Sequence, residues 1–177
     1  MSETAFSIRQ LRAEDWVAFR ALRLKALETV PTAFGASQEE DAALSPEALR
    51  ERLERAPSAV FGAFAGDSLI GMAGFHAQLG AKRRHRGLLW GVFVEEAYRG
   101  RGCARRLVER VILHAGEHVV VLEAGVTAGN RNAAALYESL GFRISGLIQK
   151  ALRIDGAFHD EILLALDLEE RASPSRG

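Results

Sequence analysis

Three sets of residues in this chain have the types and spacing to do chemistry. The first is "YRGRGCARRLVERVI", Tyr98 to Ile112, where glycines at 100 and 102 sit among arginines directly before a helical pattern. Glycine lets a ligand approach the backbone, the first N–H groups of a helix lack intrahelical acceptors, and the helix dipole favours negative charge there. That chemistry is anion binding, and a phosphate cradle is its natural form. Two familiar cradles fail on the letters: the dinucleotide fingerprint meets Arg105 where Gly or Ala is required, and no P-loop string occurs. Glycines alone equally describe a strand-to-helix turn. The second set is "NRNAAALYESLGF", in which Tyr137 could donate a proton, although Ala133, Leu136, Tyr137 and Leu140 also fit one packed helical stripe. The third is Glu123, which interrupts the apolar strand "VVVLEAGV". A carboxylate there is costly unless paired or used; it is ranked first as a water-linked base, with pairing to a neighbouring arginine the equal alternative. Glu95 and Glu96 end the preceding strand.

The elements that must position these residues follow from periodicity. "FSIRQL" alternates as a strand, Glu14 to Glu28 is helical, and "LSPEALRERLERAP" is a helix with Ser45 as N-cap and Pro46 in its first turn. Between them "TVPTAFGASQEEDAA" is expected to be loop. "SAVFGAFAGDSLIGMAGFHAQ" gives two strands around Gly66-Asp67, a hairpin turn pair. The basic loop "AKRRHRG" leads into the strand "LLWGVFVEE". After it, Ala104, Leu107, Val108, Val111, Ile112 and Ala115 form one apolar helical stripe. "VVVLEAGV", the short helix of the second set, and strands near 142–152 and 157–168 complete the chain. Alternating strands and helices of this kind describe an α/β fold with a mixed central sheet of about seven strands and flanking helices.

Composition bounds the rest. A chain of 177 residues with 48% apolar and 26% charged residues suits one domain, assigned to residues 1–170, with 171–177 expected to be a disordered tail. Lys plus Arg (23) equals Asp plus Glu (23), so no general attraction to nucleic acid or anionic membrane is expected. No run approaches the roughly 18 apolar residues of a membrane span. One cysteine, Cys103, precludes an internal disulfide and fits a reducing, cytoplasmic compartment. No His/Asp/Glu spacing suggests a metal site.

"RGRGCA" and "NRNAAALYESLGF" together resemble the two signatures of the GNAT superfamily of acetyl-CoA-dependent N-acetyltransferases: Gln/Arg-x-x-Gly-x-Gly/Ala, and Asn-x-x-Ala-x-x-Leu-Tyr-x-x-x-Gly-Phe. The resemblance runs from about Phe6 to Leu168 and implies the family's fold, with acetyl-CoA as cosubstrate in a wedge where two parallel strands splay. It implies that the backbone of Val92 and Val94 holds the pantetheine arm and that the Phe93 N–H polarises the thioester carbonyl. It places the pyrophosphate on the N–H groups of Gly100, Arg101, Gly102, Cys103 and Ala104, with Arg99, Asn130 and Ala133 beside the cofactor. Tyr137 becomes the acid that protonates the leaving thiolate. The implied reaction is direct transfer to a primary amine of a small molecule or peptide in a ternary complex, without metal. The alternatives are a noncatalytic acyl-CoA sensor on the same fold and a protein N-terminal acetyltransferase. The family also makes a homodimer through the last strands an expectation.

On the acceptor side, Arg20 and Arg23 fall among Trp16, Phe19 and Leu27 rather than opposite them. They are expected to snorkel or to pair with a carboxylate of "QEED"; the sharper hypothesis has Arg23 facing the acceptor and selecting a carboxylate. "KRRHR", Lys82 to Arg86, is expected to be solvated, with one cation available to the CoA 3′-phosphate. Alternation separates Asp160 from His159 and Glu161, so the three cannot converge. Cys103 at a helix N-terminus is expected to have a lowered thiol pKa, so that alkylation blocks CoA.

Overall fold

In the computed structural model, which describes residues 6–172, every long apolar run becomes a strand or a helix stripe. The order is β1 (Ser7–Gln10), α1 (Trp16–Thr29), α2 (Gln38–Ala42), α3 (Pro46–Glu54), β2 (Ala59–Ala65), β3 (Ser68–Ala77) and β4 (Arg86–Val94), then α4 (Cys103–Ala115), β5 (Val121–Thr127), α5 (Arg131–Ser139), β6 (Arg143–Ile154), β7 (Ala157–Asp167) and α6 (Leu168–Ala172). The strands form one seven-stranded sheet in the order β1-β2-β3-β4-β5-β7-β6. Only β4 and β5 run parallel; the other neighbours are antiparallel.

Each face of the sheet carries its own core. The α4 stripe, with Leu107, Val108, Val111 and Ala115 fully enclosed, packs with Phe61, Phe75 and Leu122 on one face. On the other, α1 and α3 bring Phe19, Leu49 and Leu53 against Val60 and Met72. Full burial of each such side chain contributes roughly 1.5–3 kcal/mol.

The departures from expectation are local. Ala13–Asp15 form a 3-10 turn, so α1 begins at Trp16. The expected loop before α3 contains α2, because Ser37 and Glu40 form a capping box that starts a helix. Arg86 leaves the basic loop to open β4. The tail expected over 171–177 begins inside α6, and 173–177 lie outside the described residues.

Candidate active site

The parallel pair comes apart halfway. β4 and β5 are in register from Arg86–Val121 to Leu89–Ala124. Beyond that point Trp90 to Val94 follow β3, whereas Gly125 to Thr127 follow β7. The cause sits in β4: its register against β3 steps from Met72–Phe93 to Gly74–Trp90, so Gly91 and Val92 together oppose Ala73. This is a bulge, and Gly91 occupies it at φ 66°, where other residues are strained. A bulge bends its strand, here away from β5. An isolated glycine inside a strand pattern is a bulge signal, and "WGVF" carried it in the sequence.

A cleft of about 620 Å³ fills the gap, lined by Trp90 to Val94, Gly125 to Thr127, Arg99, Gly100, Ala104, Asn130, Ala133 and Tyr137. The ladder sets which backbone groups face it. Glu95 donates its N–H to Ile70 on β3 at 2.9 Å, and strand alternation gives Phe93 the same direction. The Phe93 N–H therefore points at β3, contrary to the role expected of it. The Val94 carbonyl points the other way and accepts Arg99 Nε at 2.9 Å. Val92 has no register partner on β3.

The loop after β4 turns the chain into α4. Gly100 and Gly102 have φ of 72° and 76°, and a Cβ on either would meet open space. Their glycine requirement is conformational, and the space above them is available to a ligand. The α4 ladder opens with the Arg106 N–H on the Gly102 carbonyl, so the N–H groups of Cys103, Ala104 and Arg105 lie ahead of it. Among the described residues no side chain caps this terminus. These groups fit a pyrophosphate. Arg101 packs beside the Tyr98 ring, 5.8 Å from its centroid.

Tyr137 is positioned by the end of α5. Phe142 N–H bonds the Tyr137 carbonyl at 3.1 Å and Gly141 N–H bonds Glu138 at 3.0 Å, with Gly141 at φ 99°. That is a Schellman cap, and its usual hydrophobic contact is the Tyr137–Phe142 ring pair at 5.6 Å. The "Gly-Phe" after the helix thus fixes the tyrosine. At the other end Asn130 Oδ1 caps Ala133 N–H at 3.2 Å. Tyr137 is 6% exposed and lines the cleft, and its hydroxyl has no hydrogen-bond partner among the described residues. Burial pushes the phenol pKa up, which keeps the proton on through neutral pH.

Of the two readings of Glu123, the side chains adopt the paired one. Arg86 grips it through Nη2 at 2.5 Å and Nε at 3.2 Å, and Gln78 adds 3.0 Å. It does not line the cleft. Glu95 is held by Lys25 at 2.7 Å. The carboxylate that does line the cleft is Glu161. It stands opposite Thr127 on β5, and a Cβ at Gly125 would fall 2.3 Å from its Oε1. Among the described residues it has no ion-pair or hydrogen-bond partner. Alternation along β7 separated Glu161 from Asp160, which accepts the Lys150 N–H at 2.8 Å; the neighbouring gap at Gly125 was the unseen half of the signal.

Arg23 is buried and bonds Asp41 of "QEED" through Nε at 2.8 Å. Arg20 bonds the Ala42 carbonyl. Cys103 departs from expectation: it is 2% exposed within the α4 core, and burial pushes its thiol up to about 11. Its side chain lies beneath the loop. Alkylation of the folded protein at pH 7 is expected to run on the order of 10²-fold slower than for a free thiol, from the loss of thiolate alone; a rate equal to that of free cysteine, measured with iodoacetamide, would contradict this. The one potential metal cluster among the described residues, His114, Glu117 and His118, sits at the far end of α4, where His114 Nε2 already meets the Pro57 carbonyl. No described helix is long and apolar enough to cross a membrane.

Comparison with known proteins places the chain in a family. The Acetyltransferase (GNAT) family model matches residues 11–142. The chain is 36% identical over 112 residues to the N-alpha-acetyltransferase RimI of Mycobacterium tuberculosis, covering 63% of this chain and 69% of that protein. It is 34% identical over 86 residues to an L-methionine sulfoximine/L-methionine sulfone acetyltransferase of Salmonella typhimurium, covering 47% of this chain and about half (49%) of that protein. The structure of yncA, a putative acetyltransferase from Salmonella typhimurium with acetyl-CoA, shares the fold at a TM-score of 0.81 and 22% identity, covering 98% of this chain and 99% of that one. With the family model spanning three quarters of its length, the chain belongs to the GNAT acetyltransferase family, acyl-CoA-dependent N-acetyltransferases with acetyl-CoA as cosubstrate.

Proposed function

We propose that the enzyme transfers the acetyl group to a primary amine of a small molecule or peptide by direct attack in a ternary complex. The observation that carries this is one cleft lined by both Tyr137 and Glu161, which approach it from opposite faces of the sheet. Tyr137 belongs to the core on the α4 face. Glu161 shares its face with Thr127, whose hydroxyl bonds the Thr32 carbonyl in the segment after α1. The cosubstrate and the amine therefore have separate entrances to one wedge.

The N–H groups of Gly100 to Ala104 bind the pyrophosphate, and Arg99 holds the Val94 carbonyl in line beside the pantetheine path. Val92, displaced from the ladder by the bulge, supplies the oxyanion N–H first assigned to Phe93; such a donor stabilises charge where it develops. Glu161 takes the proton from the acceptor ammonium, directly or through one water, and Tyr137 offers its hydroxyl proton to the departing sulfur. Asn130 and Ala133 shape the wall beneath Tyr137.

Likeness to RimI supports protein N-terminal acetylation as a second reading. The Ala33 to Ala36 segment forms a wall of the cleft and supports a small acceptor. The exposed Ile144, Leu147 and Ile148 on edge strand β6 support a homodimer through that edge, and the lone cysteine supports a cytoplasmic setting. The test is thiol release from acetyl-CoA against amines, amino acids, polyamines, aminoglycosides and peptides. Release with at least one class is expected; acetyl-CoA binding without release from any class would favour the sensor.

A further inference from the structure

Arg23 is the buried cation of the α1 core, lodged among Phe19, Leu22 and Leu27 with its side chain 7% exposed. Its only hydrogen bond among the described residues runs from Nε to Asp41, and Nη1 is enclosed without an acceptor. An ionised donor left unpaired in the interior is destabilising, more so than a neutral one. Asp41 is also shared: its second oxygen accepts Arg52 Nη1 at 3.1 Å. Two guanidinium groups thus divide one carboxylate. The nearby Glu51–Arg55 pair cancels itself, so among the described residues lining this recess the cations outnumber the carboxylates by one.

The guanidinium is also held rigidly. Its Cζ lies 4.9 Å from the Phe34 ring centroid and 5.5 Å from that of Trp90. Rings on two sides restrict the group, and its terminal N–H groups, which Asp41 does not take, are the donors left to meet a carboxylate. Arg23 lines the wedge and also a second recess of about 440 Å³, where Arg52, Trp90 and Leu88 are neighbours. Gly91 presents bare backbone beside it: a Cβ there would stand 3.6 Å from Nη1.

We infer that Arg23, oriented by Asp41, binds the anionic group of the acceptor, so that the amine this enzyme acetylates carries a carboxylate. This rests on the amine-acetylation reading and narrows it to amino-acid-like acceptors. Glu161, in the same cleft, then faces the ammonium end of such a molecule.

The test pairs L-amino acids with their α-amides, which keep the side chain and amine and lose the negative charge. The wild-type enzyme is expected to favour the best acid over its amide by about 10²-fold in kcat/KM, because the amide leaves a buried charged donor unpaired. In Arg23→Gln that preference should fall to within about threefold, mostly through KM, with acetyl-CoA affinity unchanged. Arg23→Lys keeps the charge but not the fork and should retain part of it. Equal use of acid and amide by the wild type, which needs no variant, would overturn the inference. So would a preference that survives Arg23→Gln. If no amine releases thiol, the acetylation reading fails on its own, and calorimetry of acids and amides with the CoA-saturated protein still decides this one: equal affinities overturn it and tighter acid binding upholds it.

Discussion

Tyr137→Phe is expected to lower kcat by about 10²–10⁴-fold, the range for losing a positioned proton donor. Acetyl-CoA affinity should hold within about twofold, far less than the 1.4 kcal/mol that makes a factor of ten. The separation follows from the structure. The ring packs on Phe142 and the chain is fixed by the Schellman cap, neither of which needs the hydroxyl. The hydroxyl itself has no partner to lose among the described residues. Stability should therefore be kept below pH 10. Above it the variant gains: burial raises the native phenol pKa over its unfolded value of about 10, so the wild type loses stability as pH rises through the interval between them and the phenylalanine variant does not. Single-turnover thiol release, calorimetry and melting curves at pH 7 and 10.5 check the three parts. Unchanged kcat would remove Tyr137 from the chemistry.

The sequence showed what was periodic or motif-bound, and missed what depends on two strands meeting. The α4 stripe, the loop glycines and the Asn130 cap are local patterns, each written within one turn or one helix. Tyr137 belongs with them, because the Gly141-Phe142 pair that orients it is adjacent in the chain. Glu123 shows the limit. A carboxylate in an apolar strand reads as used or paired, and the deciding partner, Arg86, lay in what looked like a solvated basic loop. Only the parallel register of β4 with β5 brings the two together. For Phe93 the limit is related: alternation is readable, but the bulge at Gly91 shifts which residue leaves the ladder. Cys103 followed the dipole rule for helix N-termini, and burial outweighed it once the α4 face was packed.

Glu161→Gln and Glu123→Gln are expected to separate the two candidate bases. Glutamine keeps the volume and polarity of either side chain and removes the basic oxygen. At Glu161 the loss in kcat/KM at pH 7 should be about 10²-fold or more. At Glu123 it should stay within about threefold, with a stability cost of about 1 kcal/mol or less, because both partners of the Arg86 pair are about a third exposed and solvent screens them. A purely structural Glu161 could mimic the first result, and pH distinguishes the cases. A missing base matters less as the amine loses its proton in solution, so the Glu161→Gln deficit should shrink as pH rises past about 8 for a peptide α-amine, and at higher pH for a free amino acid, whose carboxylate holds the ammonium proton more tightly. A deficit constant with pH would make Glu161 a binding group instead. A large, pH-dependent deficit in Glu123→Gln would restore Glu123 as the base, and would require the Arg86 clamp to open in the ternary complex.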